Sequence, residues 1–137
     1  MNKFALLITA FLITLPISAQ KIELKKDVIL IDGKDTFNFK DKSGELTIYK
    51  LNTKEEIVFI RHNDNGTIGY KMYDDDYNVI NFVSLKLKME TKKWHARWKN
   101  TVLWLYENGV LTKDGEIDAE KTAILIDKYS ENLSGKN

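Results

Sequence analysis

The sequence predicts an α+β domain: an antiparallel meander of about six strands followed by two C-terminal helices. Three observations predict it. Hydrophobic residues recur with period two through residues 22–90, short clusters of turn-forming residues separate these runs, and the period becomes helical from residue 91 onward. Short turns leave no room for the long crossovers that parallel neighbours need, so the strands must pair antiparallel.

Residues 1–19 read as a secretory signal ahead of this domain. Lys3 supplies a positive start, residues 4–15 form an uncharged apolar run, and Pro16 breaks it. Ile17, Ser18 and Ala19 then end in small residues of the kind a signal peptidase accepts, which places cleavage after Ala19 and leaves Gln20 as the new N-terminus. A spanning helix needs about 20 apolar residues, more than this run holds. No Cys follows it, which excludes the lipid attachment of bacterial lipoproteins, so no membrane anchor is expected after cleavage.

Residues 20–137 form one domain by length, with 20–90 as the meander and 91–137 as the helical part. Residues 22–24 read as a short edge strand. Residues 27–31 and 36–40 are strands joined across Asp32-Gly33, and residues 45–51 follow after a turn at 41–44. The continuous apolar run at 57–60 reads as a central strand buried on both faces. Asn65-Gly66 is a type I′ hairpin signal, leading into a strand around Ile68, Tyr70 and Met72. Residues 74–78 read as a solvated turn. Beyond it Val79, Val83, Leu85, Leu87 and Met89 share one parity and mark a further strand, although Ile80 and Phe82 carry the other parity at its start.

Trp94, Trp98, Val102 and Leu105 stripe one face of a helix that Asn108-Gly109 should stop. A strand reading, with Trp94, Ala96 and Trp98 on one side, fits six residues and then fails. The last helix is clearer: Asp118 is its N-cap, Glu120 lies in its first turn, and Ala119, Thr122, Ile126, Tyr129 and Leu133 share a face. The tail from Ser134 should fray.

Composition excludes several chemistries. The chain has 137 residues with 21 Lys plus Arg, 20 Asp plus Glu and no Cys. Removal of residues 1–19 takes away Lys3 and leaves 20 basic and 20 acidic side chains in 118 residues, without the basic footprint of a nucleic-acid binder. Lack of Cys removes disulfides, thiolate metal sites and cysteine nucleophiles, so stability must come from the core alone.

No site pattern is strong. Asp74, Asp75 and Asp76 could offer oxygens to a hard cation, but three consecutive acids cannot all point inward, and a solvated turn is the simpler reading. Residues 63–66 lack the Asp and Glu of a calcium loop, with Arg61 and Met72 in those places. His62 and His95 stand in no zinc spacing, and Ser43, Ser84, Ser130 and Ser134 lie in no nucleophile motif. Glu55-Glu56 carries almost no signal for glycoside hydrolysis. The segment 92–99 interleaves Trp94 and Trp98 with Lys92, Lys93, Arg97 and Lys99. Trp94, Arg97 and Trp98 are its ligand-binding candidates, against the simpler expectation that the tryptophans, Trp104 included, anchor a helix on the sheet. No cofactor, metal or catalytic residue is expected.

Ser18-Ala19-Gln20, Asp32-Gly33-Lys34, the strand from Leu46 to Tyr49, the helix end from Leu105 to Asn108, and Asp118 to Lys121 with Ile126 to Tyr129 give the chain a wider likeness. In these it resembles a group of small exported proteins of Bacteroidetes, flavobacteria especially. The resemblance implies a Gram-negative envelope setting and a shared fold, and carries over no catalytic residue. The expected function is thus an exported, periplasmic or secreted, non-catalytic domain that binds an envelope protein or a small ligand. The alternatives are a hydrolase of cell-wall or dietary polymer using acids with His62 or His95, and a carbohydrate- or membrane-surface module using Trp94 and Trp98. A cavity lined by Tyr49, Phe59, Tyr70 or Phe82 would favour a ligand.

Overall fold

In the computed structural model, which describes residues 21–63, 76–93 and 97–134, a seven-stranded antiparallel sheet runs in sequence order and two helices follow it. The strands are β1 (Ile22–Lys25), β2 (Val28–Ile31), β3 (Lys34–Lys42), β4 (Glu45–Lys50), β5 (Glu56–Asn63), β6 (Tyr77–Phe82) and β7 (Leu87–Thr91). The helices are α1 (Trp98–Glu107) and α2 (Ala119–Tyr129). The α+β meander is as the sequence predicts, with one strand more.

Turn chemistry explains the early hairpins. Lys26 and Asp27 both have positive φ (45° and 69°), as do Asp32 and Gly33 (53° and 80°), the backbone that two-residue type I′ turns require. Asp27 therefore belongs to the first turn rather than opening the second strand. The expected strand at 68–72 and the Asn65-Gly66 turn lie outside the described residues, as do Ala19, Gln20, Trp94 and His95.

The run 79–90 is not one strand. β6 ends at Phe82, a short 3₁₀ turn spans Val83–Leu85, and Lys86 takes a left-handed conformation (φ 56°) before β7 returns alongside β6. Core-facing positions are even in β6 (Ile80, Phe82) and odd in β7 (Met89, Thr91), and the switch in parity marks the turn. Neither Gly nor Pro signals it. Instead Lys86 accepts a conformation that costs an L-residue about 1–2 kcal/mol.

One face of the sheet carries the core. Ile29, Phe37, Leu46, Ile48, Val58, Ile60, Ile80 and Phe82 are fully buried there against Val102, Leu105, Val110, Leu111 and Leu125. The expected central strand is buried at Ile57, Val58 and Ile60, but Phe59 on its other face is only half-buried, so the strand is not enclosed on both sides. α1 lies beside β1 and α2 beside β7, so the helices cover the strands that would otherwise present open edges.

α1 ends as expected: Gly109 (φ 77°) donates to the Tyr106 carbonyl and Val110 N to that of Leu105, the paired bonds of a Schellman stop. Asp118 caps α2 by accepting from Lys121 N at 2.9 Å. The buried face of α2 is centred on Thr122 and Leu125; Ala119 is exposed and Leu133 lies past the helix end, so the stripe is turned from the expected one. Of the tail expected to fray, Ser134 is held, and residues 135–137 lie outside the described residues. Glu131 N donates to the Glu90 carbonyl (2.8 Å), and Leu133 N and Ser134 N both donate to Glu90 Oε2 (2.9 and 2.8 Å). Hydrogen bonds from Ser134, then Leu133, hold the Glu90 carboxyl below its ordinary range. Because Glu90 points away from the core face that holds Met89 and Thr91, the tail wraps over the β7 edge.

The other edge has an ionic ladder. Glu23 bridges Lys21 (2.6 Å) and Lys25 (3.0 Å), and hydrogen bonds from Lys21 and then Lys25 hold its carboxyl at about 2, against 4.5 ordinarily. A depressed carboxyl contributes stability above its unfolded value that is lost as pH falls through the folded one. Urea unfolding between about pH 5 and pH 2 should therefore show the wild type losing stability relative to Glu23→Gln, and equal slopes would contradict the ladder.

Candidate functional site

Past the apolar row Ile60–Ile80–Met89, the next cross-strand row on the same sheet face is polar: His62 on β5, Asn78 on β6 and Thr91 on β7. Asp76, two residues before Asn78, extends it. Asp76 is only 6% exposed, so it is not part of a solvated turn. Sheet pairing selects its environment, because strand alternation turns residues 76, 78 and 80 to one side.

The row is hydrogen-bonded as an array. His62 Nε2 lies 3.0 Å from Asp76 Oδ2, and His62 Nδ1 lies 3.1 Å from Asn78 Oδ1. Asn78 Nδ2 donates to the Lys93 carbonyl (3.2 Å), while Lys93 N donates to Thr91 Oγ1 (3.1 Å). The Lys93 carbonyl can only accept, so the Asn78 amide must turn its oxygen to His62, and Nδ1 must donate. With Asp76 at Nε2, both ring nitrogens of His62 are engaged. Asp76 Oδ1 is buried without a hydrogen-bond partner among the described residues. Beside the array, Asn63 Nδ2 donates to the Tyr77 hydroxyl at 2.8 Å.

Two titratable groups thus converge, as the hydrolase alternative requires, but their geometry does not suit it. A general base needs one ring nitrogen directed at substrate and the other held by an orienting group. In His62 one nitrogen meets Asp76, just ahead of β6, and the other meets Asn78 on β6. No group of three or more His, Asp or Glu among the described residues could hold a metal ion.

The array leads into a surface cleft of about 340 Å³ where the end of β7 meets the end of α2, lined by Thr91, Lys92, Lys93, Lys128, Tyr129 and Glu131, with Ser130 at its side. The ammonium groups of Lys93 and Lys128 lie 5.4 and 5.5 Å from the centre of the Tyr129 ring. That ring is steadied by an edge-on contact with Trp104, centroids 5.5 Å apart. Among the described residues, Lys92, Lys93 and Lys128 enter no salt bridge. Glu131, the one acid in the lining, uses Oε2 to accept Lys92 N at 3.2 Å.

Of the sequence candidates, Arg97 is exposed at the start of α1, Trp98 is half-buried against the core, and Trp94 lies outside the described residues. Phe59 and Phe82 share an open depression of about 430 Å³ with Val83 and Leu87, whereas Tyr49 lines a separate, smaller one. Sequence reasoning missed the cleft because Lys92-Lys93 and Lys128-Tyr129 stand far apart in the chain. It also missed the His62 array, whose one signal was the parity shared by residues 76 and 78. Among the described residues no helix is long and apolar enough to cross a membrane. Compared with protein-family models, curated proteins and solved structures, the chain matches none of them.

Proposed function

We propose that this chain is an exported, non-catalytic binding module that receives a small anionic ligand in the cleft between β7 and α2. One observation carries the reading: three lysines without a salt bridge among the described residues surround a cleft whose single acid is tied to a backbone amide. In a domain of balanced formal charge, so local an excess of positive charge favours an anion. Lysine ammoniums are compact point charges suited to phosphate or carboxylate, and the hydroxyls of Ser130 and Tyr129 add donors at the rim. Export rests on the charged-then-apolar pattern of residues 1–19, and the likeness to exported Bacteroidetes proteins supports an envelope setting.

An NMR titration with inorganic phosphate, with chloride matching the ionic strength, tests this. Amide shifts should move saturably at Lys92, Lys93, Lys128 and Tyr129, with a dissociation constant of about 1 mM. Added salt should weaken the response, since exposed charges are screened. Shifts centred elsewhere, or equal shifts with chloride alone, would overturn the reading.

A further inference from the structure

We propose that Asn78 is the positioning residue of this cleft, holding the Lys93 peptide so that its ammonium stays over Tyr129; the inference rests on the anion-binding reading for its functional meaning, though not for its geometry. Lys93 stands two residues beyond Thr91, the last residue of β7, so the sheet ladder offers its backbone no partner. Both of its polar backbone atoms are nonetheless held, and by side chains from the last cross-strand pair. Thr91 Oγ1 accepts from Lys93 N, and Asn78 Nδ2 donates to Lys93 O. Asn78 and Thr91 are each 2% exposed, so these anchors sit in the rigid part of the molecule. The Asn78 amide is in turn oriented by His62, and His62 by Asp76. The result is a chain of contacts, Asp76 to His62 to Asn78 to Lys93, in which the Lys93 carbonyl as terminus fixes the sense of donation at the Asn78 amide and at His62 Nδ1.

This accounts for a buried polar row where the sheet could have carried apolar side chains. A long, flexible lysine at a chain exit makes a poor site unless its backbone is held, because ordering it on binding costs affinity. Lys128 needs no such device, since the last turn of α2 already holds its backbone. The two lysines should therefore respond differently to the same substitution.

Two readouts test this. The first needs no ligand: methylene protons of a lysine held over a tyrosine ring are shifted by the ring current. In Asn78→Ala the Lys93 side-chain shifts should collapse toward ordinary lysine values while those of Lys128 stay. Thr91→Val, which removes the other anchor, should do the same and covers the case in which Asn78→Ala fails to fold. Unchanged Lys93 shifts in a folded variant would overturn the proposal. The second readout is phosphate affinity in a double-mutant cycle. Asn78→Ala should weaken binding about threefold or more in the wild type and in Lys128→Ala, and have no further effect in Lys93→Ala. A loss that persists in the Lys93→Ala background would also overturn it. If wild-type protein binds no phosphate while the Lys93 shifts still collapse, the ligand reading fails and the positioning role stands.

Discussion

Replacing His62 with alanine is expected to destabilise the domain by about 2–4 kcal/mol, the cost of leaving a buried carboxylate without its partner. Asp76 is 6% exposed; one of its oxygens rests on His62 Nε2, and the other has no hydrogen-bond partner among the described residues. Without the imidazole neither oxygen has a partner among the described residues, and Asn78 Oδ1 loses the donor that orients it. His62 keeps 19% of its side chain exposed, which places the effect below that of a fully enclosed pair. Domains of this kind are stable by about 5–15 kcal/mol, and this one has no disulfide to limit the loss. Urea unfolding of His62→Ala, Asp76→Asn and the double variant measures it. The double variant should be more stable than the sum of the two single losses implies, because removing the acid's charge removes the stranded ion. If His62 were instead a catalytic group of a hydrolase, the alanine variant would keep its stability and lose hydrolysis of its polymer.

The second large effect concerns the cleft. Reversing Lys93 and Lys128 together to glutamate changes the lining from two net positive charges to two net negative ones. Phosphate binding should fall by at least about 100-fold, since juxtaposed like charges cost several kcal/mol. Stability should change by only about 1–2 kcal/mol, the value of two exposed cation–π contacts on Tyr129. Phosphate titrations followed by NMR, with thermal unfolding run in parallel, separate the two quantities. Retained affinity in the doubly reversed protein would remove the cleft as the site.

Much of the fold was legible because its signals are local. Asp32-Gly33 takes the positive φ values of its turn, Asn108-Gly109 stops α1, and Asp118 caps α2, each within a few residues of chain. The β6–β7 hairpin was half legible. Ile80 and Phe82 against Leu87 and Met89 record the parity switch that the turn at Val83–Leu85 produces, but no residue of special backbone marks it, and the alternation runs through. Leu125 shows the same limit on a helix. Residues three and four apart share a face, so a stripe read from Thr122, Ile126 and Tyr129 can miss the buried residue between them.

The candidate site was not legible for a different reason. His62 meets Asp76 and Asn78 across 14 and 16 residues, through the register of β5 on β6. Lys93 meets Tyr129 only because α2 packs beside β7, and that packing is chosen by apolar burial rather than by the lysines. By itself the sequence determined the α+β meander, its main turns and the helix ends, which follow from period, backbone freedom and caps acting over a few residues. Tertiary structure alone decided that a half-buried histidine would meet an acid and an amide far along the chain, and that Lys92 and Lys93 at the end of β7 would meet Lys128 and Tyr129 at the end of α2 in one cleft. Burial aligns the apolar rows, and polar groups far apart in the chain meet where those rows end.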